Sequence, residues 1–167
     1  MEIHEITPFL EYWRSVRNRT KRVIACIPPD KMDWTYAPGK FTFADLVRHL
    51  ATIERYMYAE TVQGKPSIYA GCGKDLADGS DEVIAFMDRM DAESIDIFRQ
   101  LTAENLMSKC VTPAGTPITV WKWLRAMVEH EVHHRGQIYM MLSMMGVGTP
   151  PLYGLTSEEV KARSEIR

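Results

Sequence analysis

The sequence predicts an all-α fold, a four-helix bundle. Four long stretches repeat apolar residues near the 3.6-residue period, and no alternating run is long enough to commit to a sheet. Proline and glycine punctuate the stretches between them, as at Pro28-Pro29 and Pro38-Gly39. At 167 residues, positions 1–167 are expected to form one domain with a substantial core.

The first helix is expected from about Thr7 to Ile27. Ile6, Leu10, Trp13, Val16, Val23, Ile24 and Ile27 fall on one stripe, which would put Cys26 in helix core. Arg14, Arg17, Arg19, Lys21 and Arg22 read as a solvated face, and Pro28-Pro29 ends the helix. The second helix follows Thr42, where Thr42-x-x-Asp45 is a capping box with Asp in place of Glu. Phe43, Leu46, Val47, Leu50, Ile53 and Met57 make its stripe, and it should end near Gln63-Gly64. His49 lies beside that stripe, between Leu46 and Ile53 on neighbouring turns.

Lys65 to Gly79 reads as a loop that exposes Cys72. The third helix is expected to start with Ser80 as N-cap, with Asp81 and Glu82 at the positive end of its dipole. Glu104 to Pro117 reads as irregular, with a short extended piece at Cys110–Thr112. The fourth helix is Thr119 to Met145, capped by Thr119 and closed by Gly146. A short helix from Ser157 completes the chain.

Composition narrows the function. The net charge is −2 with no basic block, which argues against nucleic-acid binding through phosphate contacts. No run of about 20 apolar residues predicts a membrane span, and the first residues lack a cationic-then-apolar signal pattern. Three cysteines without a CxxC suit a reducing cytoplasm and argue against a disulfide framework.

The fourth helix holds three of the five histidines. His130 and His134, four apart, lie about 40° from each other on one face, whereas His133 is rotated about 100° from His134. The pair fits one wall of a divalent-metal site and equally fits two core histidines with polar partners. Bundles build metal sites from inward side chains of facing helices, so His49 joins His130 and His134 as a candidate three-histidine site.

His130-Glu131-Val132-His133-His134 also spells the HExxH of zinc proteases. Gln137 and Met140 break the longer metzincin pattern, and no sheet is available to hold a peptide. Glu131-x-x-His134 is half of a di-iron bundle motif, but Leu46 stands where the second half needs Glu. A mononuclear site is the reading that remains.

With Phe41-Thr42-Phe43 leading to His49 in LVRHL, then Trp121-Lys122-Trp123-Leu124, then His130 to Ile138 (HEVHHRGQI), the chain resembles the DinB family of DinB/YfiT-like metalloenzymes over nearly its whole length. The resemblance implies an up-down-down-up four-helix bundle, often a homodimer. It also implies one divalent ion, Ni²⁺ or Zn²⁺, held by His49, His130 and His134, with His133 outside the ligand set. Family members include metal-dependent transferases of low-molecular-weight thiols such as bacillithiol, and mycothiol-dependent isomerases.

Two functional classes follow. One is a metal-dependent enzyme of thiol S-transferase or hydrolase type acting on a small molecule, with Glu131 as candidate general base, as partner of a ligand, or as an ordinary polar face residue. The other is a non-catalytic, stress-related bundle that binds metal or dimerises. Arg135 and Gln137 are expected to orient ligands or bond between helices, with a structural role for Gln137 as a buried amide. Trp121 and Trp123 are expected to pack, and the eleven methionines to fill core or an adaptable apolar pocket.

Overall fold

The computed structural model describes residues 2–165. Helix α1 spans Ile6–Ile24. Helix α2 spans Phe43–Ile53, widens into a π turn over Glu54–Tyr58, and finishes over Ala59–Thr61. Helix α3 spans Ser80–Phe98 and the short α4 spans Ala103–Met107. Strands β1 (Lys109–Val111) and β2 (Pro117–Thr119) form an antiparallel hairpin, with Cys110 opposite Ile118. Helix α5 runs Val120–Met144 and α6 runs Ser157–Ser164.

Helices α1, α2, α3 and α5 build a four-helix bundle. Leu10 and Trp13 near the start of α1 share a cluster with Ile53 and Tyr58 late in α2, Phe98 at the end of α3, and Leu124 early in α5. At the other end, Val23 and Ile24 of α1 meet Phe43 and Leu46 of α2, Val83 and Phe86 of α3, and Ile138 and Leu142 of α5. The chain therefore runs up, down, down and up, and the parallel pair α2–α3 needs the long crossover over 62–79.

Between these two apolar ends lies a belt of buried polar side chains: Arg17 and Thr20, Thr52 and Glu54, Ser94, and Glu131, His134 and Arg135. Arg17 was expected on a solvated face, yet it is only 2% exposed. Its guanidinium pairs with Glu54, with Glu131 at 3.1 Å and with Asp91 at 3.3 Å, carboxylates from the three other helices. A buried cation is tolerated only with such partners.

Local chemistry explains the termini. Thr42 and Asp45 form the expected reciprocal capping box. Thr102 with Asn105, and Thr156 with Glu159, form two more, the first of which starts α4, whose residues from Glu104 on were expected to be irregular. The N-cap of α3 is Gly79 rather than Ser80; its φ of +85° is a conformation glycine adopts without strain. Cys26 lies past the end of α1 and is half-buried, as is Cys72. Trp121 is buried, and Trp123 donates from Nε1 to Thr61 Oγ1 at 2.8 Å, so both indoles pack. No helix among the described residues is long and apolar enough to cross a membrane.

Candidate metal centre

The belt places the three expected histidines together. His49 comes from α2 and His130 and His134 from α5, one helical turn apart. His130 Nε2 lies 3.1 Å from His49 Nε2 and 3.1 Å from His134 Nε2. One nitrogen from each ring falls within a span of 4.8 Å. Two nitrogens on one tetrahedral ion, each bonded at about 2.0–2.1 Å, stand about 3.3 Å apart. The His49–His130 and His130–His134 sides of the triangle therefore already have the separation that a single small divalent cation requires.

The opposite ring nitrogens of His49 and His134 are engaged. His134 Nδ1–H donates to Gln137 Oε1 at 2.7 Å, which leaves the Nε2 lone pair free to ligate. His49 Nδ1 bonds to Tyr69 Oη at 2.9 Å, and the Cys72 thiol lies beside the Tyr69 hydroxyl. With His49 Nδ1–H donating to the phenol oxygen, Nε2 is again left free to ligate. Tyr69 and Gln137 thus fix two rings from outside, the arrangement that raises ligand basicity in metal proteins. Gln137 is exposed rather than a buried amide, and it acts on His134 directly.

Electrostatics keeps the rings neutral. Burial, with the neighbouring imidazole of His134 adding to it, lowers the pKa of His49 to about 4. Burial and the three neighbouring histidines lower His130 to about 3. Burial also lowers His134, partly opposed by its bond to Gln137. Three unprotonated imidazoles facing one another offer lone pairs and no positive charge, which is donor chemistry suited to divalent transition metals. Burial pushes Tyr69 up to about 12, so its phenol stays protonated. Burial and the Asp45 carboxylate push the Cys72 thiol up as well, which is unlike a reactive thiolate.

The remaining candidates sit elsewhere. Glu131 Oε2 accepts from Arg17 Nη1, and no hydrogen bond among the described residues joins its carboxylate to the three imidazoles. Arg135 donates to the backbone oxygen of Val16 at 3.2 Å and so ties α5 to α1. His133 is exposed and its Nε2 meets Gln137 Nε2 at 3.3 Å. Tyr69, which sequence reading passed over, sits in the crossover loop, where only its spacing from Gly71-Cys72-Gly73 is visible.

Beside the histidines opens an apolar cavity of about 500 Å³. Phe41 on its rim is 5.5 Å from the His49 ring, centre to centre, and Gln137 on its wall is the residue bonded to His134.

The chain matches a known sequence family over residues 12–138, described as the DinB superfamily. Among solved structures, it is similar to a DinB-like protein from Bacillus cereus, with 16% identity and a TM-score of 0.72 over 86% of this chain and 94% of that one. A DinB-like protein from Bacillus subtilis shares 22% identity with a TM-score of 0.65, over 83% of this chain and 92% of that one. The four-helix bundle protein TT2238 shares 20% identity with a TM-score of 0.59, over 78% of this chain and 97% of that one. No protein of curated function matches the chain.

Proposed function

Since the chain belongs to the DinB superfamily, we propose that it holds one divalent ion, Ni²⁺ or Zn²⁺, on Nε2 of His49, His130 and His134, and that it is a metal-dependent enzyme. The observation that carries this reading is the convergence of three neutral Nε2 atoms whose partner nitrogens at His49 and His134 are bonded away from the centre. A bound ion would supply Lewis acidity toward a thiol or a water, the chemistry of S-transfer or hydrolysis. With no fourth protein ligand in the cluster among the described residues, a small-molecule substrate has room beside the three imidazoles.

The chain's own residues divide the work. Gln137 and Tyr69 hold two imidazoles in the ligating tautomer. Glu131 belongs to the Arg17 cluster and takes no part in this reading as a base. Family resemblance favours a low-molecular-weight thiol as substrate and a homodimer, and three cysteines without a CxxC favour a cytoplasmic setting.

Elemental analysis of the purified protein beside its His49→Ala form tests the reading. One ion per chain, lost in the variant, supports it and directs screening to thiol-transfer and hydrolase substrates. No ion after incubation with Ni²⁺ and Zn²⁺ would sink it and leave the non-catalytic bundle as the better account.

A further inference from the structure

The cavity beside the histidines is built from α5 beyond His134 and from the loop that precedes α2. Gly136, Met140 and Met144 recur at four-residue spacing along one face of α5, and Tyr36, Lys40 and Phe41 face them. Met140 is 63% exposed and Met144 60%, so two large apolar side chains stand in water at the same wall. A contiguous apolar recess of this size is the ordinary form of a small-molecule site.

Gly136 is the informative residue. It lies in the middle of a 25-residue helix, where glycine is the least favourable residue after proline. Its φ is not positive, so the backbone does not require it. A Cβ at this position would meet nothing within 4 Å, so packing inside the chain does not require it either. What a side chain there would fill is the cavity. Lys40 is exposed at the rim and forms no ion pair among the described residues, which makes it the one lining group with a fixed charge awaiting a partner.

We propose that this cavity binds an anionic amphipathic small molecule. Its apolar body would lie over Gly136 between Phe41 and the two methionines, and its anionic group would meet Lys40. This deepens the reading above by naming the substrate class. It rests on that reading for the chemistry and not for the binding. Continuity with the centre runs through Gln137, which lines the cavity and bonds His134, and through Phe41, whose ring contacts that of His49.

Fluorescence titration of the metal-free protein with dansyl-undecanoate tests the proposal. The expected result is saturable binding of one probe per chain, displaced by dodecanoate and not by dodecyltrimethylammonium. Lys40→Glu should weaken it about tenfold, the scale of a reversed surface contact. Gly136→Leu should abolish it while melting no lower than wild type, because the change fills the recess and removes a helix-weakening glycine. Met140→Lys should also weaken it, and provides an independent variant on the same wall.

No saturable binding by the folded wild type, or binding untouched by Gly136→Leu and Met140→Lys, would overturn the proposal. So would a wild-type dimer that both variants split while the probe never binds, which would make this wall a self-association face. Metal content separates the two readings. A protein that binds the probe but takes up no ion keeps the cavity and loses the metal centre. One that takes up an ion but no probe does the reverse.

Discussion

Arg17 and Glu131 are 114 positions apart in sequence and meet at 3.1 Å in the bundle interior, both almost without solvent exposure. Glu131 is flanked on α5 by the two site histidines, and its carboxylate is nevertheless committed to a guanidinium from α1. That guanidinium also engages Glu54 of α2, so one cation braces both helices that carry the centre. The second oxygens of Glu54 and Glu131 are buried without a hydrogen-bond partner, so the cluster depends on Arg17.

Arg17→Met should therefore cost roughly 3–5 kcal/mol, as expected when one partner of a buried ion cluster is removed. Converting Glu54 and Glu131 to Gln in the same chain should recover a large part of it, because the stranded negative charge goes with them. Urea unfolding at neutral pH measures both. A near-neutral Arg17→Met would show that water or protonation relieves the carboxylates.

How legible this was in the sequence follows from which features are local. The stripes of α1, α2, α3 and α5, and the Thr42–Asp45 box, are written within one or two turns. So are the His130–His134 pair and the place of His49 beside its stripe. Arg17 reads like its basic neighbours until the acids of three other helices close on it. The Thr102–Asn105 box caps a helix of five residues, too short for an apolar period to mark it. The π turn at Glu54–Tyr58 leaves no mark in the apolar pattern. Tyr69 reaches His49 from a loop whose path no spacing rule predicts.

Removing the partners of the rings should weaken the centre without abolishing it. Gln137→Leu and Tyr69→Phe are each expected to lower metal affinity about 10–100-fold with the stoichiometry unchanged, the usual scale for such outer partners. Calorimetric titration with Zn²⁺ reads both. Wild-type affinity in either variant would mean that the corresponding hydrogen bond does not orient its ring.

The acid sensitivity of the metal-free protein should come largely from His49 and His130. Their folded pKa values of about 4 and about 3 lie below the ordinary 6.5, so between these values the unfolded chain binds more protons than the folded one. Their stabilising contribution is complete above about pH 6.5 and is lost as pH falls toward about 4 for His49 and about 3 for His130. Melting temperature against pH in chelator should drop across that window, and His49→Ala with His130→Ala should flatten it. An equally steep profile in the double variant would assign the acid response to other groups.

Adding the ion should stabilise the fold by mass action. At a free concentration of 100 times the dissociation constant the gain is about 2.7 kcal/mol. The melting temperature should rise with Zn²⁺ in the wild type and stay fixed in His49→Ala. A rise of the same size in both would locate the binding elsewhere on the chain.

The polar belt also bears on cooperativity. The cluster around Trp13 and Leu124 and the cluster around Val23 and Leu142 are separate bodies of hydrocarbon. Every long helix passes through both, and what joins them crosswise at mid-height is the Arg17 cluster and the imidazole triangle. Each end of the bundle is thus a candidate foldon assembled from pieces of all four long helices. Without the ion, amide exchange should sort the molecule by height along the bundle axis rather than by helix. With the ion bound, the two ends should exchange as a single unit. If the triangle is a metal centre, it is also the clasp that makes two small cores behave as one.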